Sequence, residues 1–346
     1  FAVKKIFSHK IAVISTAIFS LEPYSLILSN GIYSETLFMP LLLSGFFFLL
    51  FCLTEKKPIF AYAGAALLAL AALTRPVALY EIILIPVVLA LAGFGIKKTA
   101  KYAALAFFIF ALVLSPWIIR NRISLKTWQL SSLPDYNIYY VHASSFCVWL
   151  GEACNADFSS SRETNAKELL KDFFSGHNPK KYRTLGLEFI KNDPVNFAVF
   201  YLQKIPYFFL QNNYGDIAQT FSKNNIFDKP LLKEGLQDAI FRMDTAKLKH
   251  YWSSANAATA FILLGKLFVV LLTICLIGSI ALLFSPAYNK QIIALIFLFI
   301  FINAVLSTPA GHAARYRFTI LPLLILLTVL IIQHIKSFIL RNQKIA

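Results

Sequence analysis

Eight apolar runs follow one another along the chain, and one long polar stretch separates the fifth run from the sixth. Runs of roughly 17 to 25 apolar residues can cross a bilayer as helices. The pattern therefore predicts a mostly α-helical, polytopic membrane protein with about eight transmembrane helices and one extracytoplasmic segment between helices five and six. The predicted spans are residues 11–29, 36–53, 59–74, 77–94, 102–119, 258–284, 291–307 and 318–336. They define a membrane domain at 1–119 with five spans, an extracytoplasmic domain with interfacial helices at 120–257, and a membrane domain at 258–346 with three spans.

Lysine is distributed unequally between the two ends of these spans. The short loops on one side carry Lys4, Lys5, Lys10, Lys56, Lys57, Lys97, Lys98, Lys101, Lys290, Lys336, Arg341 and Lys344. The short loops on the other side contain no lysine, only Arg75, Arg315 and Arg317. By the positive-inside rule, the lysine-rich side is cytoplasmic. We therefore expect both ends of this chain to be cytoplasmic and residues 120–257 to be periplasmic, in a bacterial inner membrane.

Composition agrees with a membrane protein: 58% of the 346 residues are hydrophobic, and the net charge is +16. The charge is largely explained by the topology signal. Residues 120–257 carry 17 Lys+Arg against 13 Asp+Glu, too balanced for the electrostatic footprint of nucleic-acid binding. We also find no P-loop, G-x-G-x-x-G, G-x-S-x-G or H-E-x-x-H motif, which argues against the soluble-enzyme classes that use them.

Two prolines indicate breaks in the membrane helices. Thr74-Arg75-Pro76 predicts a tight helical hairpin at the outer face, because proline suits the first turn of a helix. Glu22-Pro23 places an acid and a helix breaker inside the first span. An acid within a membrane is a functional-site hypothesis by default. The alternative is a structural residue whose oxygens are hydrogen-bonded.

The second half of the polar stretch, residues 180–213, has an apolar stripe interrupted by Asp193-Pro194. The stripe consists of Leu185, Phe189, Phe197, Phe200, Tyr201, Phe208 and Phe209. Aromatic residues and lysines on a helix–proline–helix pattern are typical of amphipathic helices in the membrane interface. The helical core of a small soluble domain would give a similar pattern.

The cysteines divide into two pairs by their surroundings. Cys147 and Cys154 lie in SSFCVWLGEAC on the predicted outer, oxidising side, where a disulfide closing this short loop is expected. Zinc is disfavoured, because no set of further His or Cys ligands accompanies the pair. Cys52 and Cys275 fall in apolar spans and are expected to be packing residues.

Unusual polar residues collect at the predicted outer face. Glu35 opens the second span, Arg75 lies in the hairpin with Glu81 about one and a half turns below it, and Arg120 ends the fifth span. The last outer loop adds His312, Arg315, Tyr316 and Arg317. Arginines can neutralise a phosphate, and a carboxylate can orient or deprotonate a hydroxyl, as a site for an anionic lipid-linked substrate requires. The alternative is that these arginines are interface anchors.

Four motifs occur in the order SETLF, ALAALTRP, LSPWIIRN and RYRFTILPLL. In this order the chain resembles the membrane-embedded family 39-type glycosyltransferases of the GT-C class. These are relatives of protein mannosyltransferases and of the aminoarabinose transferase that modifies lipid A. The resemblance extends from about Ala12 to Leu330 and is weakest in the outer domain. It implies transfer of a sugar, with inversion, from a polyprenyl-phosphate donor to an extracytoplasmic lipid, glycan or protein acceptor.

The resemblance also implies roles for individual residues. Glu35 would be the second acidic position near the acceptor, and Arg75 and Arg120 would lie at the cavity rim. Arg315, Tyr316 and Arg317 would lie near the donor phosphate. Family members carry the presumed catalytic base, usually aspartate, in the first outer loop. This chain begins at Phe1, too late to include that loop, so we expect it to be N-terminally incomplete. His312 stands where relatives often have an acid.

Other functions remain open on sequence grounds. An O-antigen ligase or polymerase is also polytopic, with arginines in a large outer loop. A lipid or solute transporter would predict inverted repeats and helix breaks that meet at the midplane, and only Glu22-Pro23 fits. A non-catalytic subunit is the third alternative. No cofactor is implied. A divalent metal would need an acid pair, of which only Glu35 is visible on the predicted outer face.

Overall fold

The computed structural model describes residues 1–30, 33–151, 179–211, 214, 245–246, 257–308 and 316–343. In these ranges the protein is mostly helical and has no β-strand. Among the described helices, five are long and apolar enough to cross a membrane: Ser34–Glu55, Ile96–Leu125, Ala260–Leu283, Lys290–Ser307 and Phe318–Arg341. Shorter apolar helices cover His9–Leu21, Pro58–Thr74 and Pro76–Leu91. The prediction of a mostly α-helical integral membrane protein is therefore confirmed.

The described helices follow one another with few breaks. In chain order they are α1 (Ala2–Ile6), α2 (His9–Leu21), α3 (Pro23–Asn30), α4 (Ser34–Glu55), α5 (Pro58–Thr74), a 3-10 helix (Pro76–Ile83), α6 (Leu84–Leu91), α7 (Ile96–Leu125), α8 (Leu133–Asn137), a π-helix (Ile138–Ala143), α9 (Ser144–Leu150), α10 (Pro179–Asn192), α11 (Pro194–Leu210), α12 (Ala257–Gly278), a 3-10 helix (Ser279–Leu283), α13 (Lys290–Ser307), a 3-10 turn (Phe318–Ile320) and α14 (Leu321–Gln343).

The chain folds as two compact units, each built from separate stretches of sequence. The first unit consists of Phe1–Thr36, Phe209–Lys290 and Ile320–Ala346, and the second of Leu37–Phe208 and Gln291–Thr319. Within the first unit, α14 packs against α2 and α12. Within the second, α5 packs against α7, and α10 against the π-helix.

In the second unit, α4 and α5 approach closely through two glycines. A Cβ atom on Gly64 would lie 2.9 Å from Cδ2 of Leu49 and 3.1 Å from the carbonyl oxygen of Gly45. A Cβ on Gly45 would in turn lie 2.9 Å from Cγ of Leu68. Small residues at a contact let membrane helices gain van der Waals packing that larger side chains would prevent. The two glycines therefore set the spacing of this helix pair.

We expect Gly64→Ala to lower the thermal unfolding temperature, because the added methyl group must displace Leu49 or the Gly45 backbone. Overpacking of this kind costs about 1–3 kcal/mol. Gly278→Ala is the matched control, since its Cβ would meet only Cγ1 of Ile331, at 3.8 Å. That substitution should be neutral or slightly stabilising. Equal unfolding temperatures for the two variants would contradict the close helix contact.

In the first unit, the Glu22-Pro23 break ends one helix and caps the next. Oε2 of Glu22 accepts hydrogen bonds from the Ser25 backbone N–H and hydroxyl, both at 2.6 Å. Oε1 accepts from the Tyr24 N–H at 3.1 Å and from the Tyr214 hydroxyl at 2.8 Å. A side chain that accepts from the first N–H groups of a helix acts as its N-cap. The structure therefore favours the structural interpretation of Glu22.

Helices α10 and α11 lie in the part of the polar stretch that the structure describes. The predicted break is confirmed, because α10 ends at Asn192 and α11 begins at Pro194. Gly186 brings α10 close to the π-helix, since a Cβ there would lie 3.0 Å from the carbonyl carbon of Ile138.

Cys147 is disulfide-bonded, whereas Cys154 lies outside the described residues. Cys52 and Cys275 are free thiols, as expected.

His142 in the π-helix predicts a loss of stability in acid. Its ring is parallel to that of Tyr201, at a centroid distance of 6.2 Å, and burial lowers the pKa of His142 to about 4. The unfolded chain takes up this proton near pH 6.5, so stability is full above that pH and falls as the pH drops towards 4. The slope should be at most about 1.4 kcal/mol per pH unit, reduced by solvent screening.

The measurement is the unfolding temperature between pH 7 and pH 4 for the wild type and for His142→Phe. The phenylalanine keeps an aromatic ring beside Tyr201 but cannot take up a proton. We expect the variant to lose less stability than the wild type over this range. Parallel curves for the two proteins would contradict a partly buried histidine that is neutral in the folded protein.

Candidate functional site

Arg75 lies in the predicted hairpin and contacts Tyr316, which belongs to the same unit but lies far away in the sequence. Helix α5 ends at Thr74, Arg75 is extended, and Pro76 begins the 3-10 helix, as predicted. The guanidinium carbon of Arg75 lies 4.7 Å from the ring centroid of Tyr316 and 5.7 Å from that of Phe38. Both distances are within the range of cation–π attraction. Arg75 of the TRP motif is therefore in contact with Tyr316 of the RYR motif.

The 3-10 conformation of Pro76–Ile83 places Glu81 on the buried face of this helix. A 3-10 helix has three residues per turn, so Ala78 and Glu81 lie along one face. These are the buried residues of the helix, each 1% exposed.

The Glu81 carboxyl has one partner and one unpaired oxygen. Nδ2 of Asn303, on α13, donates to Oε1 of Glu81 at 2.7 Å and also to the carbonyl oxygen of Phe299 at 3.0 Å. Within the described residues, Oε2 of Glu81 is buried and has no hydrogen-bond partner. Buried polar atoms are nearly always paired, so an unpaired one requires an explanation, such as contact with a ligand.

Arg317 follows Tyr316 in the chain and also belongs to the second unit. It is buried, and its Nη1 donates to the carbonyl oxygen of Phe208 near the end of α11, at 3.3 Å. The Tyr201 hydroxyl on α11 donates to the carbonyl oxygen of Val305 on α13, and burial raises the pKa of Tyr201 to about 12. Helix α11 is therefore attached to two of the elements that carry the site, α13 and the segment at 316–317.

The other predicted site residues have different surroundings. Glu35 belongs to the first unit, where it is fully buried and accepts a hydrogen bond from the Ser34 hydroxyl at 3.2 Å. Arg120 is exposed, stacks over Trp117 at 4.9 Å and donates to Oδ1 of Asn121 at 2.9 Å. These contacts suit an interface anchor. His312 and Arg315 lie outside the described residues.

Comparison of the chain with protein-family models, with curated proteins and with solved structures found no match. The case for a function therefore depends on the residues themselves. Within the described ranges, no group of three or more His, Cys, Asp or Glu residues is placed to hold a metal ion.

Sequence reasoning did not find Asn303 or Lys266. Asn303 is an amide inside the apolar run of α13, and its position opposite Glu81 could not be predicted from either segment alone. Lys266 lies near the middle of α12, and among the described residues it makes no hydrogen bond or ion pair. A charged residue at this depth is rare enough in membrane helices to have identified it.

Proposed function

We propose that the protein is a polyprenyl-phosphate-dependent glycosyltransferase of the membrane-embedded GT-C class. The observation that carries the proposal is the stacking of Arg75 on Tyr316. It joins two motifs of the family resemblance, TRP and RYR, that are far apart in the sequence. Arg317 lies next to Tyr316 in the chain but is buried and donates to the Phe208 carbonyl oxygen, so we assign contact with a lipid-linked phosphate to Arg75.

The proposed reaction is direct displacement at the anomeric carbon of the donor sugar. The acceptor hydroxyl or amine forms the new bond from its lone pair, and the bond from the anomeric carbon to the phosphate oxygen breaks. The bonding electrons leave with polyprenyl phosphate, whose charge Arg75 stabilises, and a carboxylate takes the acceptor's proton. We assign contact with the substrate to Glu81, which belongs to the same unit as Arg75. Attack opposite the leaving phosphate gives inversion.

The proposed setting is a bacterial inner membrane, with the Arg75 side facing the periplasm. The lysine distribution and the family resemblance support this orientation. The acceptor is then an extracytoplasmic lipid, glycan or protein.

The test uses the purified protein in proteoliposomes that contain polyprenyl-phosphate sugars, one sugar at a time, with a mixture of envelope acceptors. Free polyprenyl phosphate is measured by mass spectrometry. A transferase should release it in proportion to the sugar transferred, and Arg75→Ala should suppress the release. Arg122→Ala is the matched control, because Arg122 is exposed and stacks on Trp128 at 5.3 Å. Movement of intact labelled substrate across the vesicle without release would instead identify a transporter.

A further inference from the structure

Helix α11 has two apolar faces, and the described residues pack against only one of them. Phe200 and Phe208 on one face are fully buried, and Phe200 contacts Phe146 at a ring centroid distance of 5.6 Å. The opposite face carries Val195, Val199 and Leu202, which are 72%, 39% and 65% exposed. These three positions recur at helical spacing and form one line along the helix. We call them the outer stripe of α11.

The contacts of α11 place it at the level where a spanning helix ends. Helix α13 has 18 residues, so it is roughly 27 Å long, close to the thickness of the hydrocarbon core. The Tyr201 hydroxyl donates to the carbonyl oxygen of Val305, which is two residues, or about 3 Å, from the Ser307 end of α13. The Phe208 carbonyl is held by Arg317 at 3.3 Å. Two contacts therefore fix α11 near the boundary between hydrocarbon and headgroups.

We propose that the outer stripe of α11 inserts into the lipid leaflet at the Ser307 end of α13, so that α11 is an interfacial membrane helix. An apolar line would be unfavourable in water, whereas an interfacial helix buries such a face by about 5–10 Å at the headgroup boundary. The polar residues of α11 fit this orientation. Gln203 accepts a hydrogen bond from Trp149, and Lys204 lies on the face opposite the stripe, over the rings of Phe200 and Tyr207. The proposal does not depend on the transferase activity.

Spin-label accessibility of the full chain tests the insertion. Cys52 and Cys275 are replaced by alanine, and single cysteines are introduced as Val199→Cys and Leu202→Cys in nanodiscs of phosphatidylcholine that hold one protein each. Leu267→Cys on α12, 55% exposed in a spanning helix, is the lipid-facing control. Lys181→Cys, exposed on α10, is the water-facing control. All four substitutions are at exposed positions, so folding should be retained.

We expect the labels at Val199 and Leu202 to behave like the label at Leu267. Collisions with oxygen, which concentrates in lipid, should exceed collisions with a water-soluble nickel chelate several-fold, and the ratio should be reversed at Lys181. High accessibility to the chelate at Val199 and Leu202 would show a water-facing surface and overturn the proposal. Exclusion of both reagents would also overturn it, because another part of the chain would then cover the stripe. A stripe that becomes inaccessible only when two proteins share a disc would identify a second copy as its partner and would equally reject insertion.

Discussion

Replacing Arg75 with alanine should raise the KM for the polyprenyl-phosphate donor by about 10- to 100-fold, with a smaller loss in kcat. This range follows from the roughly 1.5–3 kcal/mol that a hydrogen bond to a charged group contributes. Binding should be affected more than turnover, because polyprenyl phosphate is already a stable leaving group. The guanidinium would then hold the phosphate about as strongly in the ground state as in the transition state, which is the condition for a KM effect.

Variants at position 75 separate the effect of the planar guanidinium shape from the effect of the positive charge. Arg75→Lys should recover little of the lost affinity, because an ammonium group can neither stack flat on Tyr316 nor bind two phosphate oxygens at once. Tyr316→Phe keeps the ring face and should have a small effect, whereas Tyr316→Leu should weaken donor binding. The double variant Arg75→Ala/Tyr316→Leu should be less than additive, since each single change removes the same contact.

Initial rates over a range of donor concentrations measure the division between KM and kcat. Unfolding temperatures of all variants check that the fold is intact, and Arg122→Ala serves as the control for loss of a surface arginine. A large fall in kcat at unchanged KM would contradict the binding role. In that case Arg75 would act in the transition state alone.

Much of the membrane fold could be predicted from the sequence, because its signals are local. A spanning segment must satisfy its own backbone hydrogen bonds inside the bilayer. An apolar run of sufficient length is therefore a strong predictor of a helix. Proline fixes breaks in the same local way, and the helix ends at Thr74 and Asn192 lie where Pro76 and Pro194 predict them. The predicted run at 77–94 was correct in its location, but its first part belongs to the 3-10 helix Pro76–Ile83.

The site could be predicted only in part, because its contacts join residues that are distant in sequence. The outer-face hypothesis selected Arg75, Glu81, Tyr316 and Arg317, and the second unit brings two of them, Arg75 and Tyr316, into contact. It could not reveal that Asn303 pairs with Glu81. Nor could it decide the role of Glu22, which depends on Tyr214, nearly two hundred residues away.

Glu81 and Asn303 form a buried pair, and we expect substitutions of the two residues to change the stability of the protein very differently. We expect Asn303→Leu to destabilise the protein by about 2–4 kcal/mol, because both Glu81 oxygens would then be buried without a partner. Glu81→Leu should be neutral or stabilising. It removes an oxygen that already lacks a partner, and Asn303 keeps its bond to the Phe299 carbonyl oxygen at 3.0 Å. The double variant should regain most of the stability that Asn303→Leu loses.

Activity then decides why such an unfavourable group is present. If Glu81 contacts the substrate, Glu81→Leu should lose nearly all turnover while its unfolding temperature stays equal or rises, the trade-off expected of a functional site. Glu81→Gln keeps an oxygen for Asn303 and should show whether the acidic group itself is needed. Unfolding temperatures and initial rates of the four variants, measured in the same detergent, supply both readouts. Full activity in a stabilised Glu81→Leu protein would remove Glu81 from the site. Destabilisation by Glu81→Leu as large as that by Asn303→Leu would show that its second oxygen is paired after all.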